Sequence, residues 1–230
     1  MKKITRREFI IDGTMMTAGA LGAITLGSDV LLTEKAQAAN VIFPESNCGS
    51  ENNRGNRILV TYASQCGTTG EVGEAIGKVL CENGATVETI WIKNVKNLNH
   101  YDGVIIGSAI QKSRWMSEAI EFVKTNQNVL SKIPVAYFLT CLTLYRKTEK
   151  ARRKAIAFLD PLYAEAPQVK PISVGRFAGV LDYSRLSFIY RTVMKRKMKK
   201  WGIPEGDYRD WDAIRSWAKD IRFKLLNERS

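Results

Sequence analysis

The chain has 230 residues, long enough for one domain with a sizeable buried core, and its 45% hydrophobic and 25% charged residues are normal for a soluble globular protein. The formal net charge of +12 favours an acidic partner (anionic lipid, nucleic acid, a phosphorylated cofactor or an acidic protein) without choosing among them. A single histidine, His100, and the lack of a C-x-x-C pair argue against a metal site, and no Ser/His/Asp or Cys/His arrangement indicates a catalytic residue.

Residues 1–38 are predicted to be a targeting signal. A charged start is followed by an uncharged stretch, Gly13–Ser28, whose 16 residues are too short to cross a hydrocarbon core of about 30 Å. The segment ends in Ala36-Gln37-Ala38, an A-x-A cleavage pattern. Thr5-Arg6-Arg7-Glu8-Phe9 resembles the twin-arginine export signal, although Ile11 stands where that signal frequently has a lysine. This resemblance implies export of a folded, cofactor-containing protein to a periplasmic or other extracytoplasmic location. A plain secretory signal and an uncleaved anchor are the alternatives.

Residues 39–56 are predicted to be a polar linker in front of a domain at 57–230. The linker contains Pro44, Gly49 and Gly55 and shows no helical or strand period, so we expect a flexible tether. One of the four cysteines, Cys48, falls in this linker. The cysteine spacing shows no disulfide framework, and the position of Cys81 predicts a core residue.

The first element of the domain is a strand that leads into a helix through a loop of small residues. Ile58–Tyr62 is a short apolar run typical of a buried strand, and the helix is predicted by apolar residues at helical spacing from Val72 to Leu80. Thr68 followed by Glu71 three residues later predicts a capping box, and Asn83-Gly84 predicts the end of the helix.

The loop before this helix has the chemistry of a phosphate site. A helix N-terminus presents unpaired N–H groups and partial positive charge, and Gly67 permits close approach of an anion. Ser64, Thr68 and Thr69 add hydroxyl donors. Neither the Walker lysine nor the three-glycine dinucleotide fingerprint is present, so a lone terminal phosphate is favoured over a pyrophosphate. The alternative is an ordinary strand-to-helix turn.

Four further strands are predicted, at 85–92, 101–107, 134–140 and 174–180, and helical segments alternate with them. This alternation predicts an α/β fold, a doubly wound five-stranded parallel sheet with helices on both faces. Ligands of such sheets bind beyond the carboxyl ends of the strands, where the loops Ser64–Thr69, Ser108–Trp115 and Cys141–Tyr145 are expected to meet.

The run Ser64-Gln65-Cys66-Gly67-Thr68-Thr69 is similar to the flavodoxin phosphate loop, S/T-x-T-G-x-T. Cys66 replaces the usual threonine and removes one hydroxyl donor. Its place at a helix N-terminus favours a reactive thiolate, and simple filling of the turn is the alternative. Two later segments, Gly107–Val123 and Ala178–Tyr183, resemble the menaquinone-dependent protoporphyrinogen IX dehydrogenases, a subgroup with the flavodoxin-like fold.

The resemblance implies a noncovalent FMN and a quinone or a redox protein as the electron partner. Its phosphate would lie in the loop of Ser64, Gln65, Cys66, Gly67, Thr68 and Thr69. The second loop would border the isoalloxazine with Ser108, Ala109, Ile110 and Trp115, and the third loop with Thr140, Cys141, Leu142 and Thr143. Export is at odds with a porphyrinogen substrate, because haem synthesis is expected in the cytoplasm. Two alternatives are an exported electron carrier without its own small-molecule substrate and a non-enzymatic module that has lost FMN.

Leu186 to Trp201 is predicted to be a basic amphipathic helix, with an apolar face and Lys and Arg residues over the rest of its surface. Such a helix with aromatic residues is typical of contact with an anionic membrane surface. The alternative is a crossover helix that packs its apolar face on the sheet. Nucleic acid is disfavoured, because no recognised binding module accompanies the charge.

Overall fold

The structure, a computed structural model, describes residues 41–49 and 56–227. The predicted signal at 1–38 lies outside these residues. Within them, no helix is both long enough and apolar enough to cross a membrane.

A central sheet of five parallel strands confirms the predicted fold class. Register pairs join each strand to its neighbours, for example Val60 with Ile105 and Ile105 with Ala136. The strands are β2 (Arg57–Ala63), β3 (Thr86–Trp91), β4 (Gly103–Gln111), β6 (Val135–Cys141) and β7 (Ser173–Ala178). Their order across the sheet is β3-β2-β4-β6-β7, the order of a doubly wound fold with one switch point.

Helices cover both faces of this sheet because successive side chains of each strand point to opposite sides, and both sides are apolar. Val60, Ile105 and Phe138 belong to the core under one pair of helices, whereas Leu59, Ile106 and Tyr137 belong to the core on the other face. The first pair is α1 (Thr68–Glu82) and α7 (Trp211–Asn227). The second face carries α2 (Ser117–Thr125), α3 (Gln127–Leu130), α4 (Glu149–Ala157) and α5 (Asp160–Glu165).

The predicted linker is in part an ordered piece of the domain. Ser46–Cys48 forms β1, which pairs antiparallel with β3 at the edge of the sheet. Phe43 stacks on Trp91 with ring centroids 4.2 Å apart, and the Tyr62 hydroxyl donates to the Pro44 carbonyl at 2.8 Å. We call Val41–Cys48 the N-terminal strap. The prediction of a flexible tether is therefore wrong for these residues, because they contact parts of the chain that are far away in sequence.

A disulfide between Cys48 and Cys81 fastens the N-terminal strap to the last turn of α1. The cysteine spacing had indicated no framework, and Cys81 had been expected simply to fill the core. Cys81 is half-buried against the core under α1, as expected, but its sulfur is bonded across 33 residues. Cys66 and Cys141 are free thiols.

A long connection from Val180 to Arg209, which we call the crossover segment, joins β7 to α7. It contains a small ribbon of β8 (Val180–Leu181) and β9 (Gly206–Asp207), and the helix α6 (Phe188–Trp201). Leu181, Met198 and Ile203 form a third buried cluster, against which Leu142 packs. The crossover segment thereby lies against the loop that follows β6.

The apolar face predicted for Leu186 to Trp201 is only partly buried in the structure. Met198 is buried and Met194 is half-buried in the third cluster, as a packed crossover helix requires. Tyr190, Val193 and Trp201 remain exposed. One side of the helix therefore packs against the third cluster, and another side, which carries aromatic residues, is exposed to solvent.

Candidate functional site

The three predicted loops lie side by side at the carboxyl ends of β2, β4 and β6. Parallel register places Ala63 opposite Ser108, and Ala109 opposite Thr140, so each loop leaves the sheet next to the following one. This is the edge at which a doubly wound sheet binds ligands.

The phosphate loop reaches α1 through Gly67, the N-cap residue, whose φ of 76° lies in the left-handed region. Within the described chain, the backbone N–H groups of Thr68 and Thr69 have no hydrogen-bond partner, and no side chain caps the helix. Unpaired N–H groups at a helix N-terminus suit a phosphate group, so the local geometry fits the phosphate of FMN.

The predicted capping box is wrong. Thr68 is the first residue inside α1 rather than the residue before it, and its hydroxyl makes no cap bond. Glu71 does not reach back to the loop backbone because its carboxylate is bound by Arg185 and Arg209. The spacing of Thr68 and Glu71 fits a capping box equally well, but distant partners decide where the carboxylate lies.

The hydroxyls of the phosphate loop are not equally open. Thr69 is fully buried, and its Oγ1 is 2.9 Å from Oγ1 of Thr140 at the end of β6. This bond ties the phosphate loop to the third loop. Ser64 is buried, whereas Thr68 and Cys66 are half-buried and Gln65 is exposed. The structure thus gives Thr69 a role in holding two loops together, and Thr68 offers the more accessible hydroxyl.

The second loop is a tight hairpin between β4 and β5 (Arg114–Trp115), turned by Lys112 and Ser113 with φ of 48° and 61°. Two successive left-handed residues are characteristic of a type I′ turn. Ser108 is buried beneath it, where its hydroxyl accepts from the Met116 N–H at 3.0 Å and donates to the Ala109 carbonyl at 2.8 Å. Ser108 therefore holds the hairpin in shape, while Ala109 and Ile110 are half-buried on it.

Trp115 is a core residue in the structure. It is 1% exposed and packs edge-on against Tyr137, with ring centroids 5.2 Å apart. Its Nε1 and the Tyr137 hydroxyl have no hydrogen-bond partner in the part of the chain described. The sequence could not separate an aromatic residue that contacts a flavin from one that packs beneath the hairpin.

The third loop begins with Thr140 and Cys141, both buried, and continues as a 3-10 turn at Leu142–Tyr145. Leu142 and Thr143 are half-buried. Burial raises the pKa of the Cys141 thiol to about 11, and burial also raises the pKa of Cys66 despite the opposing charge of Arg185. Both thiols are therefore protonated near neutral pH, which favours the turn-filling role for Cys66 over a reactive thiolate.

A cavity of about 440 Å³ opens between the N-terminal strap and the second loop. Phe43 and Trp91 form its aromatic wall, and sequence reasoning did not assign either residue to the site. Lys93 lies 5.0 Å above the Trp91 ring and 3.7 Å from the Glu118 carboxylate. Three residues that line the cavity also belong to the predicted FMN site: Ser64, Gln65 and Trp115.

Two arginines at the phosphate loop were not predicted from the sequence. Arg185 Nη1 donates to Glu71 Oε1 at 2.7 Å and to the Cys66 carbonyl at 3.2 Å. Arg209 Nη1 donates to Glu71 Oε2 at 2.6 Å and to the Thr68 carbonyl at 3.3 Å. The arginines are 114 and 138 residues away from Glu71, so no local pattern connects them.

The parallel sheet, the glycine-turned loop at a helix N-terminus and the convergence of three loops define a flavodoxin-like protein. Residues 59–205, more than half of the chain, match the flavodoxin domain family, and the chain belongs to this family.

Two curated relatives have the same description, protoporphyrinogen IX dehydrogenase [quinone]. The protein from Leishmania major is 28% identical over 173 residues, which cover 72% of this chain and 74% of the relative. The protein from Escherichia coli strain K12 is 26% identical over 172 residues, which cover 72% of this chain and 94% of the relative. Among solved structures, oxidised flavodoxin 2 from Bacillus cereus is 20% identical, with a TM-score of 0.47 over 73% of this chain and 97% of that one.

Proposed function

We propose that this protein is an FMN-binding oxidoreductase whose electron partner is a quinone or a redox protein. The observation that carries the proposal is the phosphate loop. Gly67 turns it, and the N–H groups of Thr68 and Thr69 have no hydrogen-bond partner among the described residues at the point where three loops converge. The two curated relatives, both described as quinone-linked dehydrogenases, support the oxidoreductase class and the type of acceptor.

FMN, when bound, supplies the electron transfer itself. The residues of the chain bind and orient it. The N–H groups at the start of α1 would hold the phosphate, and the half-buried Ala109, Ile110, Leu142 and Thr143 would border the ring. No side chain is assigned as a proton donor or acceptor.

We further propose that the protein works outside the cytoplasm. The supporting observations are the twin-arginine-like run Thr5–Phe9 and the Cys48–Cys81 disulfide, since disulfides persist in oxidising compartments. Haem synthesis is expected in the cytoplasm, so this location favours an electron donor other than a porphyrinogen.

The test is the visible spectrum of the purified protein, with the released cofactor identified and the protein then assayed with a soluble quinone. We expect a flavin spectrum, near-stoichiometric FMN and saturable quinone reduction by the reduced protein. FMN without saturable turnover would favour the exported electron carrier. A colourless protein that takes up no added FMN would overturn the oxidoreductase assignment and favour the non-enzymatic module.

The exposed flank of α6 supports a peripheral contact with an anionic membrane. Phe188, Tyr190 and Val193 are more than half exposed, and Lys197 lies 4.6 Å above the exposed Trp201 ring. Aromatic side chains flanked by lysines are typical of helices that lie in a lipid headgroup region. Membrane contact at α6 would bring the third loop, which packs against the same segment, towards a lipid-soluble quinone.

Neutralising four cations of α6 (Lys195, Arg196, Lys199 and Lys200, each to Gln) is expected to weaken binding to phosphatidylserine vesicles by at least ~10-fold, since each cation near the surface contributes about 1 kcal/mol. Vesicle co-sedimentation measures the effect. The control is the same change at four exposed cations on or near α4: Lys147, Lys150, Arg153 and Lys154. Equal losses in both variants would show a general charge effect and would rule out α6 as the contact.

A further inference from the structure

Two arginines of the crossover segment clamp the phosphate loop. Arg185 and Arg209 each place one nitrogen on an oxygen of Glu71 and on a main-chain carbonyl of the loop, at 2.6–3.3 Å. The two carbonyls, of Cys66 and Thr68, flank Gly67. Both sides of the loop are therefore held by guanidinium groups from a distant part of the chain.

Arg209 is fixed more firmly than an ordinary surface arginine. Its side chain is 7% exposed, binds Asp207 at 2.6 Å and lies 4.4 Å from the Trp211 ring centroid. Burial alone would raise the pKa of Asp207, but the hydrogen bonds from Arg209 outweigh it and hold that pKa below its ordinary value. The ion pair is thus formed throughout the neutral range. Arg185 is 37% exposed and is also bound to Asp182 at 3.2 Å.

The position of Glu71 explains why such a clamp matters. A carboxylate in the first turn of a helix favours the helix, but it repels a phosphate dianion that uses the same N–H groups. Two guanidiniums on Glu71 offset this repulsion. By accepting from these arginines, the carbonyls of Cys66 and Thr68 are directed towards the guanidiniums, and the N–H groups of the loop are left for the anion.

We propose that Arg185 and Arg209 are positioning residues that give the phosphate loop its preference for a phosphorylated flavin over the same flavin without phosphate. The inference rests on the proposed FMN site and adds to it the residues that determine ligand specificity. They act on the loop and on Glu71.

The test compares FMN with riboflavin, because only FMN carries the phosphate. Arg185→Gln is the main variant, since its half-exposed side chain can be replaced with less risk to folding than the buried Arg209. Dissociation constants for both flavins are measured by fluorescence quenching on flavin-free protein. We expect the Kd for FMN to rise at least ~10-fold and the Kd for riboflavin to change less than ~2-fold. Arg185→Lys should recover part of the FMN affinity, because lysine keeps the positive charge but lacks the several planar N–H donors of a guanidinium.

The matched control is Arg215→Gln on α7. It removes an arginine whose ion-pair partner is Asp212, at 2.7 Å, and not Glu71. It should leave both affinities unchanged. Equal weakening of FMN and riboflavin in Arg185→Gln would indicate a general structural role and would overturn the inference, as would wild-type affinity for FMN. A wild-type protein that binds neither flavin would instead overturn the proposed function, and the inference with it.

Discussion

The double replacement Cys48→Ser and Cys81→Ser is expected to lower the free energy of unfolding by about 3–4 kcal/mol. The disulfide closes a loop across 33 residues, and a cross-link of that span removes this much entropy from the unfolded chain at room temperature. Urea unfolding followed by circular dichroism measures the loss. Wild-type protein in excess dithiothreitol should show the same decrease.

The control for this experiment is the double variant in dithiothreitol, which should unfold as it does without the reductant. If the oxidised wild-type protein contains four titratable thiols, or if its unfolding is insensitive to reductant, the disulfide does not form and the prediction is wrong. Detection of the disulfide in protein whose thiols are blocked before cell lysis would also support an oxidising location, because the reducing systems of the cytoplasm keep such a pair as thiols.

The sheet could be predicted from the sequence because its central strands, β2, β4 and β6, are buried on both faces along most of their length. Ile58–Tyr62 and Val135–Leu139 are continuous apolar runs bounded by turn residues, and such runs do not depend on distant partners for their recognition. The switch-point loops followed from the order of these strands. The confirmed part of the prediction is therefore the part that local pattern and general topology determine.

What the sequence did not predict depends on contacts between distant residues. The N-terminal strap has no periodic pattern, and β1 exists because the edge of β3 is available to pair with it. The spacing of Thr68 and Glu71 predicts a capping box. It cannot show that two arginines more than 100 residues later bind the Glu71 carboxylate instead. The resemblance places Trp115 and Thr69 at the cofactor, and the structure buries both. Side-chain direction within a loop is set by packing, which the sequence alone does not show.

Gly67→Ala is expected to raise the Kd for FMN at least ~10-fold. A non-glycine residue in the left-handed conformation costs about 1–2 kcal/mol, and 1.4 kcal/mol corresponds to a tenfold change in affinity. A Cβ at Gly67 would also lie 2.1 Å from the Ile42 carbonyl oxygen, a main-chain atom of the N-terminal strap. The free loop can relax away from this contact, so FMN binding must restore the strained conformation. Fluorescence titration with FMN measures the change.

Gly84→Ala separates loop geometry from backbone strain in general. Gly84 also has a positive φ, of 92°, but a Cβ there would meet no atom within 4 Å, and it follows the far end of α1 from the phosphate loop. We expect this variant to lose stability and to keep wild-type affinity for FMN. If both alanine variants bound FMN as the wild type does, the left-handed turn at Gly67 would not be required for the phosphate site. If both lost affinity equally, global destabilisation would account for the effect, and the close contact between the loop and the strap would have no part in binding.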